Sequence, residues 1–317
     1  MLNISKGKVP RAIKTVIYGS EGIGKSTLAA QFPEPLFIDT EGGTAQMDVA
    51  RIDKPRSWTE LLAIVNEVAN TPGCCKTLVI DTADWAERLC VDYICSKNNQ
   101  ESLESFGYGK GHTYLAEEFA KLLDACTDVI SSGKNVTIIA HAKMRKQELP
   151  DETGAFDRWE MKLGKQVAPM VKEWADMMLF VNYKTYVIKS DDKSKTYKAN
   201  GGRRVMYTTH HPCWDAKNRY GLPDEMDLNY EGIAKLFDDV PDKDKPVSGA
   251  TLAKLQAQID KAEVKPEEVC AVLVAKTGYP EGTKLNDLTE GFVNGWLRQN
   301  WNRVVKEIVN NPERVPF

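Results

Sequence analysis

The stretch Gly19-Ser20-Glu21-Gly22-Ile23-Gly24-Lys25-Ser26 fulfils the pattern G-x-x-x-x-G-K-[ST] at every fixed position. Its surroundings are those the pattern needs. The apolar run AIKTVIY (12–18) precedes it and reads as a β-strand. Residues 25–31 follow as the start of a helix, stopped by Pro33. Between a strand and a helix, consecutive backbone N–H groups can face phosphate oxygens, and the glycines let those oxygens come close. Gly19 to Thr27 are therefore the expected nucleotide-binding residues. Lys25 is expected to reach the β- and γ-phosphates and Ser26 to ligate Mg²⁺.

Moving outward, strand and helix patterns alternate. PLFID (35–39) reads as a second strand. SWTELLAIVNEVA (57–69) reads as a helix with Ser57 as its N-cap and Glu60 three positions on. TLVID (77–81) is a buried strand, with a helix expected over 83–95. A polar, glycine-punctuated segment spans 99–112. A helix near 113–132 and the strand NVTIIA (135–140) come next, then a charged stretch over 141–166. Strands are expected again at 176–182 and 184–189, with SDDKSK as a turn, and at 203–208. Such alternation predicts an α/β domain with a mostly parallel central sheet covered on both faces.

Length and composition limit the alternatives. The 317 residues suffice for about two domains at ~150 residues each. Lys and Arg total 42 against 45 Asp and Glu, a net charge of −3, so any polyanion contact must come from a local patch. No apolar run approaches the ~18 residues of a membrane span. The first residues, MLNISKGKVPRAIK, carry no signal-peptide cleavage pattern. Seven scattered cysteines without a CxxC pair fit reduced thiols and a cytoplasmic location. The segment 238–248 (DDVPDKDKPVS) is charged and almost without apolar residues, and reads as a linker between the α/β domain at 1–237 and a small all-helical domain at 249–317. In the latter, helices are expected over 250–263, 266–277 and 290–310, with a core from Leu252, Leu255, Ile259, Val269, Leu273, Phe292, Trp296 and Trp301.

Three further positions bear on chemistry. Asp81 ends the strand TLVID and fits the carboxylate that holds Mg²⁺, often through water. Glu41 follows the strand PLFID in FIDTEGG, beside the phosphate loop in a parallel sheet. A carboxylate there can orient and activate the water that attacks a γ-phosphate. His210-His211-Pro212-Cys213 offers metal-binding side chains, but four ligands at finger spacing are absent and a turn explains it.

On these residues the chain resembles RecA-type P-loop ATPases. It is similar to the phage-encoded RecA-like group found beside single-strand annealing proteins, and more distantly to RadA and the DnaB-like motors. FIDTEGG resembles the family's strand ending in a catalytic acid, which maps to Glu41. VTIIAHAK resembles RadA's His-containing strand; RecA itself carries Gln there. The resemblance implies that His141 senses the γ-phosphate. Lys217-Asn218-Arg219-Tyr220-Gly221 resembles RadA's KNRFG, with Tyr for Phe. By that analogy Lys217 and Arg219 reach into a neighbouring subunit's site, as planar or compact cations aimed at developing negative charge. The resemblance covers roughly residues 10–236.

It further implies ATP and Mg²⁺ as cofactors, a homo-oligomer with sites between subunits, and single-stranded DNA as a partner. Two loops are expected to meet DNA. The first, 97–112, offers Phe106, Tyr108 and Lys110, aromatics for stacking on bases and a cation for phosphate. The second, 142–165, offers Lys143, Arg145, Lys146, Arg158, Trp159 and Lys162, against Glu148, Asp151, Glu152, Asp157 and Glu160. Its charges nearly cancel, so composition alone does not predict DNA contact there. The helical module looks like ones appended to phage recombination proteins, implying a single-strand-binding or annealing protein as its partner, with a stabilising cap as the plain alternative. The expected activity is ATP hydrolysis, stimulated by DNA, in recombination or strand annealing within a bacterial host cytoplasm. Rival readings are a ring translocase at branched DNA, and a nucleotide-switched loader with little turnover.

Overall fold

The computed structural model describes residues 11–148, 154–189, 197–238, 246–277 and 279–311. Its elements run β1 (Lys14–Gly19), α1 (Lys25–Ala29), β2 (Pro35–Asp39), β3 (Ala50–Ile52), α2 (Trp58–Asn70), β4 (Thr77–Asp81), α3 (Ala83–Lys97), α4 (Lys110–Ser131), β5 (Asn135–Glu148), β6 (Ala155–Met161), α5 (Val167–Trp174), β7 (Met177–Lys189), β8 (Tyr197–Tyr207), β9 (Lys217–Asn218), β10 (Glu225–Asp227) and α6 (Lys235–Asp238).

The strands form one sheet in the order β10-β8-β7-β1-β5-β4-β2-β3. From β7 to β3 every pairing is parallel. β8, β9 and β10 add antiparallel pairings at one side. Side-chain alternation explains why the sheet is covered on both faces. Val16, Tyr18, Leu78, Ile80, Val136, Ile138, Met178 and Phe180 point into a core shared with α2, α3, α4 and α5. Their neighbours Ile17, Leu179 and Val181 pack on the other face with Leu28, Phe32 and Phe237. Val79 and Ile139 join Ala29 and Phe37 there. This is the RecA-like P-loop NTPase fold.

Local signals account for much of the detail. Ser57 Oγ accepts the N–H of Glu60 at 3.2 Å, as an N-cap does, while the Glu60 carboxylate reaches back one residue further than expected, to the N–H of Arg56 at 2.6 Å. Trp58 is buried, 5.9 Å from Phe119, with its indole N–H on Glu118 at 3.0 Å.

Two expectations need correction. The charged stretch 141–166 is not a simple loop: β5 runs on to Glu148 and pairs antiparallel with β6, so residues 142–148 and 155–161 form a two-stranded hairpin. The separate strands at 176–182 and 184–189 are one strand, β7, paired with β8 around a bulge at Lys184/Thr185. The turn SDDKSK lies outside the described residues, as does most of the 238–248 segment.

Contacts divide the chain into two compact units, the second built mainly from residues 241–317. It contains α7 (Gly249–Lys261), α8 (Pro266–Lys276) and α9 (Glu290–Phe292), which passes through a π-helical turn (Val293–Leu297) into α10 (Arg298–Val309). Leu255, Ile259, Val269 and Leu273 are buried as expected. Leu285, Leu288, Leu297, Val304 and Ile308 complete the core, and Leu252, Phe292, Trp296 and Trp301 pack half-buried around it. Among the described residues no helix is long and apolar enough to cross a membrane.

Candidate active site

Parallel strands deliver their carboxyl ends to one edge of the sheet, and chemistry gathers there. β1 ends at the phosphate loop, β2 at Asp39 just before Glu41, and β4 at Asp81, while β5 passes the same level at His141. A cavity of about 260 Å³ results, lined by Gly22, Gly24, Lys25, Ser26, Thr27, Asp39, Glu41, Asp81, Thr82 and His141 among others.

Two glycines are demanded by the backbone. A Cβ on Gly19 would lie 2.1 Å from the Val181 carbonyl oxygen, so only glycine lets β1 turn against β7. Gly24 sits at φ 111°, in the left-handed region, with the Arg204 guanidinium behind it. Lys25 is buried and donates to the carbonyls of Gly19 at 3.1 Å and Ser20 at 2.9 Å. Burial holds its pKa below the ordinary lysine range, against the pull of Asp81, Asp84, Glu21 and Glu41. Ser26 Oγ donates to Asp81 Oδ2 at 2.5 Å. Burial raises the Asp81 pKa despite that bond, helped by the nearby charges of Asp39 and Glu41. Two oxygen donors side by side, one a carboxylate, suit a hard divalent cation such as Mg²⁺.

Glu41 stands on a stiff support. Asp39 accepts N–H bonds from Glu41, Gly42, Gly43 and Thr44, at 3.2, 2.6, 3.2 and 2.8 Å, and the Thr44 hydroxyl at 2.6 Å. Burial alone would raise the Asp39 pKa; these donors outweigh it and hold it below the usual carboxylate range. Thr40 binds across to β4, its hydroxyl donating to the Thr82 carbonyl and accepting the Thr82 N–H, both at 2.8 Å.

His141 lies between the sheet and α3. Asp84, in the first turn of α3, accepts its backbone N–H at 3.0 Å and faces imidazole Nδ1 at 2.8 Å. Nε2 is 3.9 Å from Glu41 Oε2. Burial pushes the Asp84 carboxyl up, but the His141 bonds outweigh it and leave it low. The hairpin begins here: the Lys162 N–H returns to the His141 carbonyl at 2.7 Å, and Glu87, one turn along α3 from Asp84, accepts the Gly164 N–H at 2.8 Å.

Lys217 and Arg219 are elsewhere. β9 pairs with Met177 and Met178, where β7 begins, whereas Gly19 is level with Val181. Four residues of strand put about 13 Å between these levels. Lys217 Nζ donates to the carbonyls of Lys172 and Glu173 at 3.1 and 3.0 Å, and Arg219 to Asp176 at 2.7 Å. Neither belongs to the cavity of its own chain.

The residues expected to meet DNA differ in setting. Tyr108 is fully exposed at φ 48° between Gly107 and Gly109. Phe106 instead packs edge-on against Tyr114 at 5.5 Å, and Lys110 opens α4. On the hairpin Arg145 and Lys146 are exposed, while Lys143 Nζ is bound to the Leu163 carbonyl at 2.8 Å. Arg158 departs from the expectation: it is buried, 2.6 Å from Asp215, with the carbonyls of His211 and Pro212 also on its guanidinium, so no face of it is free for phosphate. In the HHPC stretch, His211 stacks on Trp214 at 4.1 Å.

Sequence reading missed Asp39, Asp84, Glu87 and Arg204. Asp39 and Asp84 each follow or end an apolar strand, but such positions also read as ordinary turn and first-turn acids.

The chain shares 23% identity over 150 residues with the SPbeta prophage-derived uncharacterized protein YorG of Bacillus subtilis (strain 168), and spans about 45% of that relative's length. Among solved structures it is similar to the KaiC-like protein PH0186 of Pyrococcus horikoshii OT3, at 13% identity and a TM-score of 0.34 over 62% of this chain and 78% of that one. The AAA_24 family, an AAA domain, matches residues 11–220, which hold the whole cavity and the segment of Arg219, and the chain belongs to that family of P-loop ATPases.

Proposed function

We propose that the protein hydrolyses ATP with Mg²⁺, is stimulated by single-stranded DNA, and serves recombination or strand annealing. The observation that carries the hydrolytic part is the convergence of Lys25, Ser26, Asp81, Glu41 and His141 on one cavity. The phosphate-loop N–H groups and Lys25 would bind the triphosphate. Ser26 and Asp81 would hold Mg²⁺, which neutralises phosphate charge. Asp39, Asp81 and Glu41 line the same cavity as Lys25, so a metal-bound triphosphate is favoured over the bare anion. Glu41, fixed by the Asp39 loop, activates the attacking water.

Assembly is supported by the position of Lys217 and Arg219. Being unable to reach their own nucleotide level, they fit a role in a neighbour's site. DNA contact is supported by Tyr108, held out by two glycines, and by Arg145 and Lys146. Leu115 of α4 would be 3.8 Å from a Cβ on Gly164, so the loop before α4 and the root of the hairpin share one end of the unit. Recombination or annealing as the use rests on resemblance to the phage group.

ATP turnover should be measured with and without single-stranded oligonucleotide, for wild type and Glu41→Gln. Turnover raised by the oligonucleotide, and cut about 10²- to 10⁴-fold in the variant with nucleotide binding retained, supports the reading. Unchanged turnover in Glu41→Gln removes Glu41 from its role, and indifference to oligonucleotide removes the DNA part.

A further inference from the structure

Both carboxylate oxygens of Asp84 meet His141. Oδ1 accepts the His141 backbone N–H and Oδ2 meets imidazole Nδ1. The two side chains are each 10% exposed, so water competes little for this pair. An ionised carboxylate only accepts, so in the neutral ring the proton belongs on Nδ1 and Nε2 is left with a lone pair toward the cavity. Across from it, Glu41 Oε2 is a second acceptor 3.9 Å away. Two acceptors at that spacing do not bond each other. A water about 2.8 Å from each, donating one O–H to either side, joins them.

We propose that Asp84 is a positioning residue: it fixes His141 as the Nδ1–H tautomer, so that His141 Nε2 and Glu41 Oε2 together hold and orient the attacking water. The proposal rests on the ATPase reading and gives His141 a share in aligning the nucleophile. In the step itself, the water oxygen forms a bond to the γ-phosphorus while the bond from that phosphorus to the β–γ bridging oxygen breaks. The departing ADP oxygen keeps the electron pair. The proton leaving the water passes to Glu41, and the second O–H stays on His141 Nε2, which ends with no net proton gained. Asp84 touches none of the reacting atoms.

Asp84→Asn separates this from a merely structural bond. The Asn oxygen can still accept the His141 backbone N–H, but its amide N–H₂ faces Nδ1 and selects the opposite tautomer. The full chain has four histidines, so ¹⁵N-histidine NMR with His141→Gln as the assignment control reads this ring directly. The expected result is Nδ1–H in the wild type and Nε2–H in Asp84→Asn. With it, kcat falls about 10- to 100-fold while nucleotide affinity stays within about twofold. Added to His141→Gln, Asp84→Asn should have little further effect.

A wild-type His141 that is Nε2–H or doubly protonated overturns the proposal alone, and that measurement stands even if Asp84→Asn does not fold. A switched tautomer with kcat unchanged also overturns it. A wild type with no turnover at all overturns the ATPase reading and this proposal with it.

Discussion

Arg219 holds Asp176 at 2.7 Å where the parallel strands begin, at the opposite end of those strands from the phosphate loop. Asp176 is also gripped by Arg11 at 2.8 Å, so its buried carboxylate stays paired if Arg219 swings away. If Arg219 serves a neighbour's nucleotide, Arg219→Ala should bind ATP normally yet lose about 10²-fold or more of its turnover. Mixing it with Lys25→Ala should recover activity, because the first protein supplies an intact phosphate loop and the second an intact Arg219. Absence of recovery in a mixture shown by sizing to co-assemble would refute action between subunits.

Lys25 is a buried cation whose nearest partners are two carbonyls. Its burial is costly in the free protein and is repaid when phosphate arrives. Lys25→Met should therefore leave the melting temperature of the free protein equal or higher, and abolish the rise that Mg-ATP produces in the wild type. That rise corresponds to about 2.7 kcal/mol at a ligand concentration of 100 Kd. Differential scanning fluorimetry across a nucleotide titration reads both effects.

Asp39 ties the residues that follow β2 through five donors, and its pKa lies below the usual carboxylate range. A carboxylate depressed on folding stabilises the protein above its unfolded pKa, about 3.9, and loses that contribution as pH falls through the lower folded value. Asp39→Asn should cost about 1–3 kcal/mol at neutral pH, because an amide N–H₂ then confronts backbone donors. Urea unfolding should find the wild-type advantage constant from about pH 8 to pH 5 and shrinking below about pH 4. An advantage that grows toward acid would refute the assignment.

Tyr108 touches nothing that stability depends on, and Arg145 and Lys146 are exposed. Tyr108→Ala should leave the melting temperature unchanged and weaken oligonucleotide binding by about 1–3 kcal/mol, the worth of one stacked base. Removing Arg145 and Lys146 should flatten the salt dependence by about 0.7 for each phosphate that is no longer neutralised. Arg158→Ala should instead destabilise the protein, since it removes a buried guanidinium that ties Asp215 to the carbonyls of His211 and Pro212 and leaves Lys172 as the cation against Asp215. Fluorescence anisotropy at several salt concentrations, beside thermal melts, tests all three.

The phosphate loop was legible because its chemistry is local: eight consecutive residues, a strand before and a helix after. The apolar strands were legible because a sheet buried on both faces needs unbroken apolar runs such as TLVID. What escaped was set by pairing between distant segments. AKMRKQE and AFDRWEM look like charged loop sequence, since a hairpin whose outer strands meet water gains little from apolar alternation. Arg158 looked like a surface cation because sequence says nothing of Asp215, which sits 57 positions away. Asp84 was invisible for the same reason: its meaning comes from His141, likewise 57 positions on.

β5 is unbroken from Asn135 to Glu148, and His141 is its seventh residue of fourteen. A stiff oar pivots at the gunwale: a small tilt at its middle sweeps the blade through a larger arc. With roughly 20 Å of strand between His141 and Glu148, a tilt of β5 about His141 would carry Glu148 further than it moves His141 itself, so the cavity end of the strand and its far end are joined by one element.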